Sequence, residues 1–376
     1  MLTTRAAVVE APGAPFVVQD VTLDDVRAGE VLVEVVAAGL CHTDLGVQAG
    51  GIPFALPGIL GHEGAGVVVE VGPGVDRVAR GDKVLLSYTS CGRCSNCRGG
   101  HPAYCATWVP DNLIAGVRRD GTPTVRRSDG QGGETRLGGH FFGQSSFAAH
   151  AIVDERSLVR VPDDAPLEVL APLGCGVQTG FGTVWNVLDP APGSTLAVFG
   201  AGAVGLAAVM AAKLLPLAAV IAVDLVPDRL ALAAELGATH TANASPDSPD
   251  DVAKVVADAT DGRGVDAAID TTAVPAVVRQ AIDLLAVRGT CAVVGAPPAG
   301  TEAAFDVQGL LPGKRVVGVT LGDGEPETLL PQLVDLHRRG LLPLERLVRH
   351  YTLDELDAAA ADMHHGRTVK PVVRLG

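Results

Sequence analysis

Short apolar runs bounded by glycine dominate the first 170 residues of the chain. Residues 30–39 (EVLVEVVAAG) and 64–72 (GAGVVVEVG) are rich in valine, and GDKV at 81–84 predicts a turn into a further strand. Because β-branched residues between glycine-containing turns favour strands, this part predicts a β-rich, barrel-like domain. Residues 111–140 are polar and rich in glycine, and we predict a long loop there with a functional or interface role.

From residue 194 the pattern changes to apolar strands that alternate with helices rich in alanine and leucine. The predicted strands are 194–199, 218–224, 265–270 and 290–296, and the predicted helices are one that ends near 214, then 227–238 and 276–289. Strands and helices that alternate at this spacing predict a doubly wound parallel sheet.

The last part of the chain breaks this alternation. The predicted elements there are a helix, a strand, a helix and a strand, at 327–340, 346–351, 353–366 and 369–375. We therefore expect the tail to return to the first domain. The expected division is 1–176 with 320–376 for the β-rich domain and 177–319 for the doubly wound domain.

Composition excludes several classes of protein. The 376 residues are 47% hydrophobic, and 29 basic against 43 acidic side chains give a net charge of −14. Without basic runs interleaved with aromatic residues, nucleic acid is not an expected partner. Residues 190–212 carry no charge, but glycines interrupt them, so we predict a strand, a turn and a helix rather than a membrane span. No secretory signal is recognisable, and we expect a cytoplasmic protein.

Four of the seven cysteines lie close together. Cys91, Cys94, Cys97 and Cys105 have the spacing C-x2-C-x2-C-x7-C. Four thiolates at this spacing can surround one zinc ion and leave no open position, which predicts a structural site. An iron–sulfur cluster also uses four cysteines, although the ferredoxin spacing differs, and unmetallated surface thiols are the other alternative.

A glycine-rich turn predicts a dinucleotide site. Gly200, Gly202 and Gly205 form G-x-G-x-x-G between an apolar strand and an apolar helix, and Asp224 ends the next strand. The glycines permit a tight turn, close approach of a pyrophosphate and close helix–strand packing. An acidic residue at Asp224 accepts hydrogen bonds from ribose hydroxyls and repels a 2′-phosphate, which favours NAD over NADP. The alternative is a helix start that binds nothing.

Beyond these motifs, an ordered series of segments carries a family resemblance. GLCHTD, LPGILGHEGAGVVVEVGPGV, GDKV, the four cysteines, GCGVQTG and GAGAVG follow one another along the chain. The sequence resembles the zinc-dependent alcohol dehydrogenases of the medium-chain dehydrogenase/reductase superfamily, which implies a GroES-like catalytic domain and a Rossmann cofactor domain. FFGQSSFAAHAIV (141–153), APLGCGVQTGFGTV (171–184) and the tail most resemble the aryl-alcohol (benzyl-alcohol) dehydrogenase branch.

The resemblance implies roles for individual residues. It implies two zinc ions per chain, one structural and one catalytic, the catalytic ion being held by Cys41, His62 and Cys175. Thr43 would take the alcohol proton, Asp44 would orient His62, and Glu63 would approach the metal during ligand exchange. Gly46 stands where many relatives carry a histidine that extends the proton relay. The implied cofactor contacts are His42, Thr179, Val204, Arg229 and Lys370, and the implied substrate pocket contains Tyr88, Phe141 and Phe142.

The resemblance also implies the reaction. We expect oxidation of a primary aryl or allylic alcohol to the aldehyde, and the reverse, with hydride transfer to NAD. One alternative is a thiol-adduct (formaldehyde-type) dehydrogenase on the same scaffold, and another is a non-catalytic NAD-binding protein of the same fold. The expected assembly is a homodimer or homotetramer joined through the cofactor domains. The remaining cysteine, Cys291, lies in an apolar strand and is expected in the core.

Overall fold

Two compact units make up the chain. The computed structural model describes residues 1–130, 132–247 and 250–375. Unit 1 consists of Met1–Cys175 with Glu325–Gly376, and unit 2 consists of Gly176–Gly324. The divisions expected from the sequence lie one residue later at the first boundary and five residues earlier at the second.

The elements follow in chain order. The strands are β1 (Leu2–Val9), β2 (Phe16–Leu23), β3 (Glu30–Gly39), β4 (Gly58–Ile59), β5 (Gly64–Val71), β6 (Lys83–Leu86), β7 (Val125–Ser128), β8 (Glu134–Leu137), β9 (His150–Asp154), β10 (Leu158–Arg160), β11 (Thr195–Phe199), β12 (Ala219–Asp224), β13 (His240–Asn243), β14 (Val265–Asp270), β15 (Leu285–Val293), β16 (Arg315–Gly318), β17 (Val348–Thr352) and β18 (Lys370–Arg374). The α-helices are α1 (His42–Gln48), α2 (Ser95–Arg98), α3 (Leu167–Leu170), α4 (Gly176–Gly182), α5 (Ala203–Lys213), α6 (Pro227–Leu236), α7 (Val252–Thr260), α8 (Pro275–Asp283), α9 (Val307–Leu310), α10 (Pro326–Arg338) and α11 (Leu356–His364). Short 3-10 or π turns occupy Pro102–Tyr104, Pro110–Ile114, Phe141–Gly143, Glu155–Ser157, Ala171–Gly174, Thr183–Leu188, Leu321–Asp323, Leu344–Arg346 and Leu353–Glu355.

Unit 1 contains two sheets among the described residues. One has the order β4-β1-β2-β7-β8, and the other has the order β10-β6-β5-β3-β18-β17, with β9 also paired to β3. Alternate valines of β3 point into a core with Val68 of β5 and Val84 of β6, which is the period-two pattern of a half-buried strand. The final strand β18 pairs antiparallel with β3, with Val372 opposite Gly39. The tail therefore completes the sheet whose strand β3 leads into Cys41.

The predicted loop over 111–140 is wrong in part. Strands β7 and β8 form an antiparallel hairpin, and β7 pairs with β2 through Thr22 and Arg126. Upstream of the hairpin, the buried Arg118 guanidinium donates to Glu30 at 2.9 Å and to Asp24 at 2.7 Å. These two strands bury few side chains, so their sequence lacks the apolar alternation that reveals a strand.

Unit 2 is the doubly wound parallel sheet that the sequence predicts. Its strand order is β13-β12-β11-β14-β15-β16, with every pairing parallel. Ile221, Phe199 and Ala268 lie in its core, and Cys291 is fully buried there as expected. The strand order reverses between β11 and β14, and the glycine-rich turn follows the carboxyl end of β11 at this point.

One predicted helix of unit 2 is too long. The sequence predicts a helix over 276–289, but α8 ends at Asp283 and β15 begins at Leu285. Leu285 pairs with Val265 of β14, and Arg288 has a φ of +65°. A positive φ at a residue other than glycine interrupts regular helix, and strand pairing overrides the helical propensity of the alanine and leucine residues.

Residues 190–212 behave as the sequence predicts. They are divided between β11, the glycine-rich turn and α5. Over the described ranges, no helix combines the length and apolar character that crossing a membrane requires.

Candidate metal centres and cofactor-binding loop

Cys41, His62, Glu63 and Cys175 converge inside unit 1. Their ligand atoms all lie within 4.8 Å of one another, and we call this group the convergent site. His62 and Glu63 are fully buried, and Cys175 is 9% exposed. His62 Nε2 is buried and has no hydrogen-bond partner of normal geometry in the described part of the chain. An imidazole nitrogen with no partner beside two thiols is a donor set that zinc prefers, so these residues fit a zinc ion.

A buried carboxylate orders two of these residues. Asp44, in the first turn of α1, accepts the Cys41 N–H through Oδ2 at 2.9 Å and the Gly61 N–H through Oδ1 at 2.9 Å. The same Oδ1 lies 3.1 Å from His62 Nδ1. A proton on Nδ1 that faces Asp44 leaves Nε2 to face the thiols, the orientation common among metal-binding histidines. Burial lowers the pKa of His62, but Asp44 and Cys41 raise it to about 10. A zinc ion bound at Nε2 would take the place of the second imidazolium proton, on Nε2, and leave the Nδ1 proton on Asp44's side.

Lys370 and Glu63 form a buried ion pair. The Lys370 ammonium donates to the two carboxylate oxygens of Glu63 at 2.9 and 3.0 Å and to the Leu40 carbonyl at 3.1 Å. Glu63 is fully buried, and Lys370 is 3% exposed. Burial lowers the pKa of Lys370, but Glu63 and Cys41 raise it, and the net pKa lies above its ordinary value. The family resemblance implies that Lys370 lies near the cofactor phosphates. In the structure, the three hydrogen bonds of its ammonium go to Glu63 and to the segment before Cys41.

The start of α1 carries the other predicted polar groups. Thr43 Oγ1 lies 3.8 Å from Cys41 Sγ, and His42 is exposed at the first position of the helix. At Gly46, an added Cβ would lie 2.8 Å from the Ile52 side chain. An apolar side chain therefore occupies the space beside the position where many relatives have the histidine of the relay.

An aromatic wall covers His62. The Phe142 ring stacks on the imidazole at 4.4 Å with an interplanar angle of 24°, and the Phe141 ring meets the same imidazole edge-on at 5.4 Å. Phe54 packs edge-on against Phe141 at 5.0 Å, and Trp108 packs edge-on against Phe142 at 5.5 Å. Phe142 has a φ of +53°, a conformation that costs a bulky residue free energy. The ring contacts of Phe142 with His62 and Trp108 help to hold this conformation.

Tyr88, the third predicted pocket residue, is also buried. It is 1% exposed and lines a cavity of about 20 Å³ together with Arg77, Arg156 and Glu327. The structure therefore places Tyr88 against charged side chains on at least one side.

The second group of thiols, which we call the four-cysteine lobe, comprises Cys91, Cys94, Cys97 and Cys105. The four sulfur atoms lie within 4.8 Å of one another. Backbone N–H groups point at them: Cys94 N donates to Cys91 Sγ at 3.3 Å, and Cys91 N donates to Cys105 Sγ at 3.2 Å. Hydrogen bonds from the N–H groups of Ala106 and Cys97 lower the pKa of Cys94 to about 6. Such donors stabilise thiolates, so this group also fits a zinc ion.

The glycine-rich turn of unit 2 has the geometry of a phosphate-binding loop. Gly200 has a φ of +92°, and an added Cβ at Gly205 would lie 1.8 Å from the Gly200 carbonyl oxygen. Gly202 is the N-cap residue immediately before α5, an added Cβ there would meet no atom within 4 Å, and no side chain caps the helix. The uncapped N–H groups of the first turn of this helix can donate hydrogen bonds to an anionic phosphate, and the glycine lets that phosphate approach the backbone closely.

Asp224 closes this loop from the end of β12. Its Oδ2 accepts the Ala201 N–H at 2.6 Å, and its Oδ1 accepts the Val226 N–H at 2.8 Å. Arg229 of α6 has a buried Nε that lacks a hydrogen-bond partner among the described residues. Among the other predicted cofactor residues, Val204 lies in the first turn of α5, and Thr179 of α4 is 7% exposed.

Comparison with known proteins decides the family. The family "Alcohol dehydrogenase GroES-like domain" matches residues 27–163, and "Zinc-binding dehydrogenase" matches residues 203–336. Geraniol dehydrogenase of Castellaniella defragrans is 39% identical over 99% of this chain and 98% of its own. The chain belongs to the zinc-dependent alcohol dehydrogenases of the medium-chain dehydrogenase/reductase superfamily.

Two further proteins are similar to this alcohol dehydrogenase over nearly its whole length. The crystal structure of benzyl alcohol dehydrogenase from Acinetobacter calcoaceticus superimposes with a TM-score of 0.94, at 42% identity over 100% of both chains. S-(hydroxymethyl)glutathione dehydrogenase of Paracoccus denitrificans is 34% identical over 99% of this chain and 100% of its own. The predicted family, fold class and zinc-dependent alcohol dehydrogenase activity are thus confirmed.

Sequence reasoning missed several residues around the convergent site of this dehydrogenase. Trp108 and Phe54 extend the aromatic wall, and Gln144 and Ser87 bond to the backbone near the ligand residues. The chain has only 2 tryptophans and 8 phenylalanines. Each of them could therefore have been considered as a candidate for the aromatic wall. Gln144 and Ser87 lie within ordinary strand and loop sequence and carry no such signal.

Proposed function

We propose that this dehydrogenase oxidises primary aryl or allylic alcohols to aldehydes, and catalyses the reverse reaction, with NAD. The observation that carries the proposal is the Phe142 ring stacked on His62, with Phe141 edge-on beside it. Aromatic faces next to the reacting centre favour flat apolar substrates through area burial and ring contacts. Relatives named for benzyl alcohol and geraniol, an aryl and an allylic alcohol, support the same class.

The proposal includes two zinc ions per chain. Cys41, His62 and Cys175 would hold the catalytic ion, and the four-cysteine lobe would hold the structural ion. The first set offers three ligands and leaves a fourth position for a substrate oxygen, whereas the lobe provides four thiolates and leaves none. Metal analysis of purified protein should give two zinc ions per chain, and a value of one would contradict this assignment.

Each step relies on residues already described. A bound zinc ion supplies a Lewis acid, and bound NAD supplies the hydride acceptor. Thr43 Oγ1, close to Cys41 Sγ, is the group that we propose accepts the alcohol proton. Phe141 and Phe142 orient the substrate and exclude water from it. Position 46 is glycine with the Ile52 side chain beside it, so we propose that Thr43 passes its own hydroxyl proton to water as it accepts the alcohol proton.

Glu63 and Lys370 have a different part in the proposal. Glu63 belongs to the convergent group of ligand atoms, while Lys370 bonds to both of its carboxylate oxygens. We propose that this ion pair holds the carboxylate back while substrate is bound and releases it during ligand exchange. A contact of Lys370 with the cofactor phosphates stays a prediction.

NAD is the proposed cofactor because of Asp224. We propose that its carboxylate, held by hydrogen bonds from the Ala201 and Val226 N–H groups, accepts hydrogen bonds from ribose hydroxyls and repels a 2′-phosphate. Asp224→Ala should weaken NAD binding and relax discrimination against NADP, measured as the ratio of kcat/KM for the two cofactors. A variant that still rejected NADP as strongly would contradict this role. His42, Thr179, Val204 and Arg229 are proposed to complete the cofactor site.

A second candidate function is oxidation of a formaldehyde–thiol adduct. The observation that favours it is the 34% identity to S-(hydroxymethyl)glutathione dehydrogenase over nearly the whole chain. Such a substrate is large and anionic, and its carboxylates require basic side chains near the pocket. The described wall over His62 is aromatic instead, so we place this function second.

Steady-state turnover separates the two functions. With NAD in excess, kcat/KM is measured for benzyl alcohol, geraniol, ethanol and S-(hydroxymethyl)glutathione. We expect benzyl alcohol and geraniol to exceed the other two by at least about tenfold, because burying an aromatic or long apolar group contributes roughly 1.5–3 kcal/mol. A large advantage for ethanol would contradict the aromatic-pocket argument, and an advantage for the thiol adduct would favour the second function.

A homodimer, or a tetramer built from dimers, is the proposed assembly. Strand β16 lies at one edge of the parallel sheet, and its Val316 is 43% exposed. Nearby in sequence, Val307 and Leu311 are 72% and 78% exposed. Exposed apolar residues beside an open sheet edge are typical of an interface between subunits. Sedimentation equilibrium should give the mass of two or four chains, and Val316→Lys should shift it toward one chain.

A further inference from the structure

We propose that Gln144 is a positioning residue for the catalytic metal, linking the segment that carries His62 to the segment that carries Cys175. This inference rests on the zinc site proposed above. Gln144 is fully buried and directly follows the Phe141–Gly143 turn that supplies the aromatic wall.

The Gln144 amide makes three hydrogen bonds to backbone groups. Nε2 donates to the His62 carbonyl at 3.0 Å and to the Ser87 carbonyl at 2.7 Å, and Oε1 accepts the Gly64 N–H at 3.1 Å. The amide therefore brackets the tripeptide centred on Glu63, holding the carbonyl before it and the N–H after it. At the same time it ties this tripeptide to the end of β6.

Ser87 continues the link to the other ligand segment. Its hydroxyl donates to the Gly174 carbonyl at 2.7 Å, one residue before Cys175. A Cβ added at Gly174 would lie 2.1 Å from the Leu86 carbonyl oxygen, so glycine permits this close approach. A continuous path of buried hydrogen bonds thus runs from the His62 carbonyl through Gln144 and Ser87 to the peptide that precedes Cys175.

The path complements the contacts of Asp44. Asp44 joins the Cys41 backbone to the His62 side chain, and the Gln144 path joins the His62 backbone to the neighbour of Cys175. Together they connect all three proposed ligands without using a ligand atom. Groups that fix ligands in this way contribute to metal affinity because they lower the cost of assembling the site.

Only an amide satisfies all three partners of Gln144. Two carbonyl oxygens require donors, and the Gly64 N–H requires an acceptor. A carboxylate has no donor for the two carbonyl groups, and a methionine of similar length has neither group. Gln144→Met therefore removes the link while retaining most of the side-chain volume.

Asn112 provides a matched control within unit 1. It is 1% exposed, and its amide also makes three backbone hydrogen bonds: it accepts the Thr89 N–H at 2.9 Å and donates to the carbonyl groups of Thr89 and Trp108 at 3.0 and 2.9 Å. None of these hydrogen bonds reaches a proposed catalytic ligand or the residue next to one, and the Trp108 ring contacts His62 only through Phe142. Asn112→Leu thus removes an equal number of buried hydrogen bonds elsewhere.

The experiment measures the metal rather than turnover. Holoenzyme is titrated with a chromophoric chelator, and zinc release is followed together with peptide-resolved iodoacetamide alkylation of Cys41 and Cys175, which assigns each release step to a site. We expect Gln144→Met to weaken zinc at the convergent site by about 10- to 100-fold, while Asn112→Leu leaves that affinity at the wild-type value. Unfolding temperatures are measured in parallel to match the two variants for stability.

Two outcomes would overturn the inference: wild-type zinc affinity in Gln144→Met, or an equal loss in Asn112→Leu. If Gln144→Met does not fold, Ser87→Ala tests the same path, and we expect about a fivefold increase in the rate at which Cys175 is alkylated. A wild-type rate of Cys175 alkylation in Ser87→Ala, together with wild-type zinc affinity at the convergent site, would then overturn the inference. If wild-type protein binds a single zinc ion and leaves Cys41 and Cys175 open to alkylation, the proposed function fails and this inference fails with it, whereas the outcomes above, with two zinc ions in the wild type, overturn the inference alone.

Discussion

The two cysteine-containing sites of this dehydrogenase are built in opposite ways. The four-cysteine lobe takes its ligands from 15 consecutive residues, and three of its four cysteines are partly exposed. The convergent site takes Cys41, His62 and Cys175 from three distant segments, burying His62 and Cys175 and leaving Cys41 partly exposed. In the lobe, nearby backbone N–H groups bond to the sulfur atoms, whereas buried side chains from other elements order the convergent site.

This difference separates the two roles physically. With zinc bound as proposed, we expect the lobe to depend on its metal for folding, because the contacts that order its sulfur atoms are local hydrogen bonds from backbone N–H groups. The convergent site lies beside the end of β3 and the start of β5, and we propose that Asp44 and Gln144 maintain its ligand geometry. We therefore expect damage to the lobe to reduce stability and damage to the convergent site to reduce turnover.

The largest expected effect is on turnover at the convergent site. Cys175→Ala should lower kcat by at least about a thousandfold, because the metal loses a ligand and its Lewis-acid function. NAD should still bind, since the glycine-rich loop and Asp224 belong to unit 2. Steady-state kinetics with benzyl alcohol and NAD titration by fluorescence measure the two quantities.

Cys291→Ala is the matched control for this variant. Cys291 is a fully buried thiol in β15, outside both groups of clustered cysteines. The Cys291→Ala enzyme should keep a near-wild-type kcat and two zinc ions per chain. If both variants lost turnover equally, the assignment of Cys175 to the metal would be wrong.

The second effect concerns the stability of the lobe. Cys94→Ala should remove one zinc ion and lower the free energy of unfolding by at least about 3 kcal/mol, because the metal supplies much of the folding energy of such a lobe. The kcat of the remaining folded enzyme, normalised to convergent-site zinc, should change less than threefold. Urea denaturation and metal analysis test this, and unchanged stability would remove the distinction between the two sites.

The sequence alone predicted the lobe better than the convergent site. The spacing of Cys91, Cys94, Cys97 and Cys105 indicates a metal site without any knowledge of the fold, because all ligands lie on one short segment. The grouping of Cys41, His62 and Cys175 came from a family resemblance, since no local pattern connects residues so far apart.

The fold shows the same dependence on local signals. The parallel sheet of unit 2 was predictable because each of its inner strands is an apolar run. Strands β7 and β8 escaped prediction because their side chains are polar, and β15 began earlier than predicted because pairing with β14 overrides helical propensity. Gln144 escaped for a related reason: its partners are backbone atoms, which leave no mark in a sequence.

An intermediate effect is expected from the carboxylate behind His62. Asp44→Asn should weaken zinc at the convergent site by about 10- to 100-fold, because the variant loses the negative charge beside His62 Nδ1. Chelator titration with alkylation of Cys41 measures it. Asp266→Asn is the control, since Asp266 accepts two hydrogen bonds, both from Thr195 at 2.9 Å, against three at Asp44, and lies in unit 2. An equal loss of zinc in the control would contradict a specific role for Asp44.

The smallest expected effect tests whether the two sites are independent. Trp108, three residues after Cys105, packs edge-on against Phe142, which stacks on His62. Such an aromatic contact contributes about 0.5–1.5 kcal/mol, so Trp108→Leu should lower kcat/KM for benzyl alcohol by roughly two- to tenfold. Zinc content should stay at two per chain, and kcat/KM for ethanol should change less. Trp185→Leu, which removes a similar edge contact with Phe181 at 5.3 Å in unit 2, should leave the ratio of the two substrates unchanged. An unaltered ratio in Trp108→Leu would mean that the lobe influences the convergent site only through stability.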